Sequence, residues 1–346
     1  MANTRAPASG KELTPAPPCG WMAARCPAAR GPAASLTHLT MKRLSFLLLL
    51  LALPAALSAA TPDGKKKLVI IAGKPSHPPL MHEFRAGSLL LAKSLAGVPG
   101  LSVEVQDQGW VKDEAIFKDA DAVVIYADGG GGHPAIQGDH LATLTALVQR
   151  GCGVGFMHYG VEIPAAKGGP ELQKWMGGYY EDKFSVNPMW EPLFEKLPVH
   201  PITRGVEPFQ IKDEWYFNMR FKPGFTADGV SEAEGTKFTP ILTAKPSDAV
   251  RNGPYVYPAG PYPHIQAEKG RTEAMMWCVE RPDGGRGFGF TGGHYHLNWG
   301  NPDFRRTVLN ALVWVTGAEV PANGVDSKVN EEDLKQNLDP KGKPGQ

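Results

Sequence analysis

The sequence has almost no excess of charge of either sign: 36 lysines and arginines stand against 35 aspartates and glutamates. That balance excludes a broad face for nucleic acid or for a membrane surface. Cysteine is scarce. There are four, and only Cys152 and Cys278 lie beyond the first sixty residues. No Cys-x-x-Cys occurs, which excludes a zinc–thiolate site. Export would permit a bridge between Cys152 and Cys278, but both sit in apolar strand-like runs that equally suit buried free thiols. No internal repeat is visible. The glycine-rich turn Asp128-Gly-Gly-Gly-Gly-His133-Pro134 lacks the Lys-Ser/Thr of a phosphate loop, so no nucleotide cofactor is expected. Its glycines either admit a ligand close to the backbone or form a mobile loop.

Glycine and proline are plentiful, 40 and 32, which implies long ordered loops. The N-terminus carries a targeting pattern. Met41-Lys42-Arg43 opens a run that is apolar to Leu57 and ends in Ser58-Ala59-Ala60. A basic start, an apolar centre and small residues at the end describe a secretory signal, cut near Ala60. The apolar centre is too short for a comfortable membrane span. Met41 is then the expected start, with residues 1–40 an extension upstream of it. The mature protein is expected in the periplasm or outside the cell, with no stable membrane span.

The chain then alternates strand and helix patterns. Lys65–Gly73, Leu101–Val105 and Asp121–Tyr126 read as strands, with a helix opening at His82-Glu83-Phe84. Asp139 is placed to cap a helix that Gly151 ends. The glycine-bearing apolar run from Gly151 to His158 is a further strand, and Glu171–Met176 a short helix. Thr272–Glu280 and Arg286–Thr291 are strands joined by Asp283-Gly-Gly285. Asn301-Pro302 starts a helix with the stripe Phe304, Val308, Leu312, Val315. This order implies an α/β fold with a mostly parallel sheet flanked by helices. From about Tyr179 to Pro263 the pattern becomes hairpins and loops rich in aromatics and proline, expected to form a lid over the sheet edge. One domain is expected over 61–321, followed by a charged tail or surface arm over 322–346.

The stretch Gly151–Glu162 organises the rest. An apolar strand ends at His158-Tyr159-Gly160, at the carboxyl edge where open α/β sheets bind ligands. A sharp turn there exposes one side chain over the sheet, as in a nucleophile elbow. Here that residue is histidine, which can take a proton or bind a metal.

Five motifs in order carry a resemblance: Gly155-Phe-Met-His158, His200-Pro-Ile-Thr203, Asp213-Glu214-Trp215-Tyr216, Gly293-His294 and Val313-Trp314. Over residues 66–318 the chain resembles the trehalose-utilisation (ThuA-like) family. Trp215 replaces a usual aliphatic residue, and Tyr179–Asn187 is enlarged. The resemblance implies a class I glutamine-amidotransferase-like fold, related to flavodoxin, and a role in sugar catabolism that includes keto-sugars. It implies no glutamine hydrolysis, because the elbow holds His158 and Cys152 lies six residues earlier.

The candidate site follows from the strand ends. His158, His294 and His296 are the expected ligands of a divalent ion, zinc or manganese. His158, Glu162 and Glu214 are the candidate catalytic residues. His82, His133, Asp213, Tyr216, Tyr295 and Trp299 are candidate contacts to a small carbohydrate, since sugars stack on aromatic rings. His200 is expected to serve a turn. Two readings stay open. One is an enzyme, a hydrolase or lyase, acting on a glycoside or keto-sugar. The other is a non-catalytic sugar-binding or scaffolding protein with the same pocket. A glycoside hydrolase with paired carboxylates has less support.

Overall fold

The structure is a computed structural model, and it describes residues 64–342. The expected signal at 41–60 and the extension 1–40 lie outside the described residues.

Eight strands form one sheet: β1 (Lys66–Ala72), β2 (Leu101–Gln106), β3 (Ala122–Tyr126), β4 (Gly153–Met157), β5 (Ser231–Ala233), β6 (Thr236–Ala244), β7 (Glu273–Glu280) and β8 (Arg286–Phe290). Their spatial order is β5-β6-β7-β8-β4-β3-β1-β2. The strands β2, β1, β3, β4 and β8 run parallel, while β7, β6 and β5 pair antiparallel in turn. The parallel part has the flavodoxin-like order 2-1-3-4, continued by β8. After β1 the chain crosses to one side, and after β3 it proceeds to the other, which opens a crevice at the strand ends.

Helices α1 (Phe84–Leu95), α2 (His140–Gln149), α3 (Ala165–Met176), α4 (Pro302–Val315) and α5 (Glu331–Lys335) complete the framework. Alternate residues of β1 face opposite layers. Leu68, Ile70 and Ala72 pack with Leu91 of α1 and Leu312 of α4. Val69 and Ile71 pack with Leu144 of α2 and Leu172 of α3. The glycines of β4 are needed for this fit. A Cβ at Gly153 would stand 2.0 Å from the Val315 carbonyl, and one at Gly155 2.3 Å from the Phe288 ring.

Helix α4 forms as its sequence predicts. The Asn301 side chain accepts from the amides of Asp303 and Phe304 at 3.0 Å, Pro302 holds the first position, and Gly317 follows with φ +82°. Helix α2 differs. The Asp139 side chain makes no cap bond; its backbone carbonyl takes the amides of Ala142 and Thr143 instead. Cys152 and Cys278 are free and buried. Among the described residues no helix is long and apolar enough to cross a membrane.

The stretch after α3 is more than a lid. It contains β6, a nine-residue strand of the main sheet. Pro240 within it sits at a shift of register against β7, which is why the local pattern reads as a loop. The stretch also contains β5 and three two-residue strand pairs: Gly178–Tyr179 with Arg220–Phe221, Met189–Trp190 with Asp213–Glu214, and Leu193–Phe194 with Phe209–Gln210. The second of these pairs matters for the site.

Candidate metal centre at the strand ends

Four strand ends of the parallel sheet deliver polar residues to one edge. The loop after β1 carries His77 and His82, Asp128 follows β3, His158 follows β4, and Thr291 and His294 follow β8. His158 occupies the turn expected of it, with φ +51°. This left-handed conformation is strained for a histidine and persists only where surroundings fix it. The ring is fully buried.

Backbone pairing brings the loops together. The His82 amide donates to the His294 carbonyl at 3.0 Å, and the His296 amide to the Leu80 carbonyl at 2.9 Å. Asp213 locks the third segment to them. Its Oδ1 accepts from the amides of Glu214 (2.7 Å) and His294 (3.0 Å), and its Oδ2 from the Gly293 amide and the Asn298 side chain, both at 2.9 Å. One fully buried carboxylate thus fixes the next residue, Glu214, beside His294. Burial raises the Asp213 pKa, and these donors oppose that rise.

The side chains of His82, His158, His294 and Glu214 converge. His82 Nε2 lies 3.0 Å from His158 Nε2 and 3.0 Å from His294 Nδ1. Glu214 Oε2 lies 2.7 Å from His294 Nδ1 and 3.6 Å from His158 Nε2. These donors all fall within 4.8 Å of one another. Ligands held tetrahedrally at about 2.05 Å from one ion are roughly 3.3 Å apart, so the spacing suits a single cation.

The protons support that fit. His158 Nδ1 is 3.0 Å from the Thr291 carbonyl, which can only accept, so Nδ1 carries the hydrogen. His82 Nδ1 is 2.8 Å from Asp128 Oδ1 and carries its hydrogen for the same reason. In neutral rings, both Nε2 atoms are therefore lone pairs, facing each other at 3.0 Å. Two lone pairs at that distance repel unless a positive charge sits between them. A proton fits poorly, because burial, followed by neighbouring histidines, holds the His82 and His158 pKa values below the ordinary imidazole range. Burial also raises the Glu214 pKa, opposed by its bond to His294. A metal ion meets the donor set, with Asp128 and the Thr291 carbonyl as outer partners that orient two of the rings.

Around this group, Tyr216 Oη is 3.4 Å from His158 Nε2. The His77 ring stacks on His82 at 3.5 Å. Glu162 does not join the four donors. The turn after His158 is a short 3-10 segment, and the Glu162 carboxylate lies with the Tyr159 hydroxyl against Gly130 of the glycine-rich turn. Gly129 is required there, since a Cβ would fall 2.1 Å from the Tyr159 carbonyl. Burial, with Asp182 and Glu214 nearby, pushes the Glu162 pKa up to about 8.

Several expected site residues are placed elsewhere. His296 Nε2 donates to the Leu334 carbonyl at 3.0 Å, so its ring points away from the ligands. His133 spends both ring nitrogens on the backbone of Gly160 and Ala135. Trp299 is fully buried against Tyr126 and Phe304. Asp213 organises backbone and has no capacity left for a sugar. Tyr295 is half-buried beside His294, with its hydroxyl 3.6 Å from Met189 Sδ. His200 caps its own turn, accepting from the Ile202 amide. Asp128 and the Thr291 carbonyl were not singled out by sequence; the signal for Asp128 was its position just past the end of β3. A groove of about 970 Å³ lined by Trp190, Leu193, Leu197 and Val230 contains none of the converging residues. It holds no clustered donors, so the chemistry points to the histidine group instead.

Comparisons with known proteins place the chain in a family. Curated proteins give no match. Among solved structures, a ThuA-like protein from Parabacteroides merdae ATCC 43184 is 16% identical, with a TM-score of 0.49, over 77% of this chain and 94% of its own. A ThuA-like protein from Bacteroides uniformis ATCC 8492 is 13% identical, with a TM-score of 0.47, over 72% and 91%. The ThuA family profile, described as trehalose utilisation, matches residues 81–315. That span covers more than half of the sequence and includes all four converging residues, so the chain belongs to the ThuA, or trehalose-utilisation, family.

Proposed function

We propose that the protein is an exported enzyme of carbohydrate catabolism that acts on a glycoside or keto-sugar, with one divalent cation held by His82, His158, His294 and Glu214. The observation that carries this reading is the pair His82 Nε2 and His158 Nε2, 3.0 Å apart with their other nitrogens committed as donors. Three imidazoles and a carboxylate suit zinc or manganese. Such an ion supplies polarisation of a sugar carbonyl or an activated water.

The residues around it divide the remaining work. Asp128 and the Thr291 carbonyl hold the Nδ1 protons, so two rings present lone pairs inward. Tyr216 is buried and its pKa is raised well above the usual range, so its hydroxyl stays a donor to a substrate oxygen. Glu162 is neutral at pH 7, which fits it to give a proton to a leaving oxygen. Tyr257 is 77% exposed. Its amide donates to Asn187 Oδ1, and Asn187 Nδ2 donates to Glu214 Oε1 at 2.9 Å. An exposed aromatic residue whose backbone is tied to the site in this way suits stacking on a sugar face. Burial pushes the Cys152 thiol up to about 12, which argues against a thiolate nucleophile and glutamine hydrolysis. The Met41–Ala60 pattern supports export.

The test uses the chain from residue 61 without a His tag. Metal content is measured, then turnover of a panel of glucosides and their keto derivatives, beside His158→Ala. Near-stoichiometric zinc or manganese, with turnover lost in a folded His158→Ala, supports the reading. Sugar binding without turnover in the metal-loaded protein points to a non-catalytic binding protein. No metal after loading with either ion removes the cation.

A further inference from the structure

We propose that the C-terminal strap, residues 330–341, is a positioning element of the histidine group, through its Lys341 and the Glu83 carboxylate that receives it. It fixes the loop that aims His82 at His158 and His294. This inference rests on the cation reading for its effect on affinity, but its effect on the loop is independent of any ion.

The loop after β1 is unusual in its backbone. His77, Leu80 and His82 have φ values of +59°, +67° and +47°. None is glycine, so each is held in a conformation that side chains disfavour. Such strain persists where the surroundings over-determine it. On one side the loop pairs with the segment after β8, through the His82 amide and the Leu80 carbonyl. On the other side it meets the strap.

Glu83 is the hub of that second contact. Its carboxylate accepts from the Leu80 amide at 3.0 Å inside the loop and from the Asp339 amide at 2.9 Å in the strap. Lys341 Nζ lies 3.2 Å from the same carboxylate, and both side chains are buried. That ammonium also donates to the carbonyls of Met81 and His82. A lysine bound to the peptide carbonyl of the candidate ligand itself leaves little freedom in that residue's direction. The strap is secured further along its length. Leu334 is buried and its carbonyl accepts from His296. Asp333 pairs with Lys93 at 2.8 Å, and the Asn337 carbonyl accepts from Arg85. His296 thus joins the two segments, since its backbone holds Leu80 and its ring holds the strap.

A buried Lys–Glu pair is weak grounds for stability, because desolvation offsets its Coulomb gain; specificity of geometry is the better-attested return. Neither residue touches the four donor atoms. The strap therefore acts through His82, in the manner of an outer-shell partner.

The experiment compares the chain from residue 61 to 346 with Lys341→Met, and with Lys93→Met as a control that loosens the strap from α1 only. Hydrogen exchange is followed in peptides covering 77–83 and in β1 and β4, first without metal. Zinc affinity is then measured by competition with a chelator. In Lys341→Met, exchange over 77–83 is expected to rise at least tenfold with β1 and β4 unchanged. Zinc affinity is expected to fall about 10- to 100-fold, the range for lost outer partners. Lys93→Met should leave both close to wild type. Should Lys341→Met not fold, Lys341→Gln is read instead; it keeps a donor for one carbonyl and removes the charge. Unchanged protection over 77–83 overturns the proposal, as does a wild-type loop that exchanges freely. A wild type that binds no zinc overturns the cation reading alone, and the exchange data still decide the strap.

Discussion

Asp128→Asn is the sharpest test of how the rings are oriented. In the wild type, the carboxylate accepts the Nδ1 proton of His82 at 2.8 Å, so His82 presents a lone pair at Nε2. The charged acceptor makes this bond stronger than a neutral one. An asparagine of the same shape offers an amide that can turn its NH₂ toward Nδ1. His82 then favours the other tautomer, with its hydrogen on Nε2 pointing at His158 Nε2, 3.0 Å away. That hydrogen would occupy the place of the proposed ion. Loss of such a partner costs about 10- to 100-fold in metal affinity, or about 1.4–2.8 kcal/mol. Stability should barely change, because the Asp128 side chain is 35% exposed and lies past the end of β3. The assay is zinc competition against a chromophoric chelator, with urea unfolding of the metal-free protein alongside. Affinity within twofold of wild type would refute the tautomer argument. So would a loss that merely tracks a lower unfolding midpoint.

Other outcomes follow from the same structure. Glu162 has its pKa raised to about 8 by burial first, so its acid form persists through neutral pH; kcat/KM should fall as pH rises through about 8, and Glu162→Gln should abolish that alkaline limb while lowering the plateau about 10²- to 10⁴-fold. Glu273 accepts from Arg251 at 2.8 Å and from the Asn218 amide, both buried, and from the partly exposed Arg271 at 3.0 Å; Glu273→Ala should cost about 3–5 kcal/mol in urea unfolding, by leaving the fully buried Arg251 uncompensated. The chain from residue 61 should show no reactive thiol when folded and two when unfolded, read by a colorimetric thiol reagent, since Cys152 and Cys278 are free and buried. Tyr257→Ala should raise KM for a disaccharide several-fold and leave the melting temperature unchanged, because that ring is mostly exposed.

What the sequence made legible was periodic or terminal. The strands β1, β3, β4 and β8 announce themselves as apolar runs closed by polar residues, and α4 by its Asn-Pro start and its stripe. The elbow at His158 followed from the abrupt end of β4. The histidines after β1 and β8 followed from the rule that parallel strand ends share an edge. Direction was harder to read. His294 and His296 are two apart, and on an extended segment they would point the same way. The chain instead enters a 3-10 turn at His296, which sends that ring to Leu334. His133 was a plausible contact by position, yet a glycine-rich turn has backbone groups that need partners, and its imidazole serves them. β6 was hidden by Pro240. Asp139 looked like a cap, but its side chain makes no bond to the amides of the first turn.

The inserted segment between α3 and β7 changes what kind of site this is. Neighbouring parallel strands stand about 4.8 Å apart, so the adjacent ends of β4 and β8 bring His158 and His294 together, while β3 separates β4 from β1 and His82 reaches them through its loop, which pairs with the segment after β8. Glu214 comes instead from a two-residue strand that pairs with Met189–Trp190 and depends on Asp213 to bind the amides of Gly293 and His294. The donor set is therefore closed by a segment that a lid would leave free to open. A segment that supplies Glu214 and Tyr216 to the centre cannot swing away without dismantling it. On the proposed function, substrate would enter beside this wall, on the side where His77 and Asp128 are partly exposed and where the proposed strap backs the loop that carries His82.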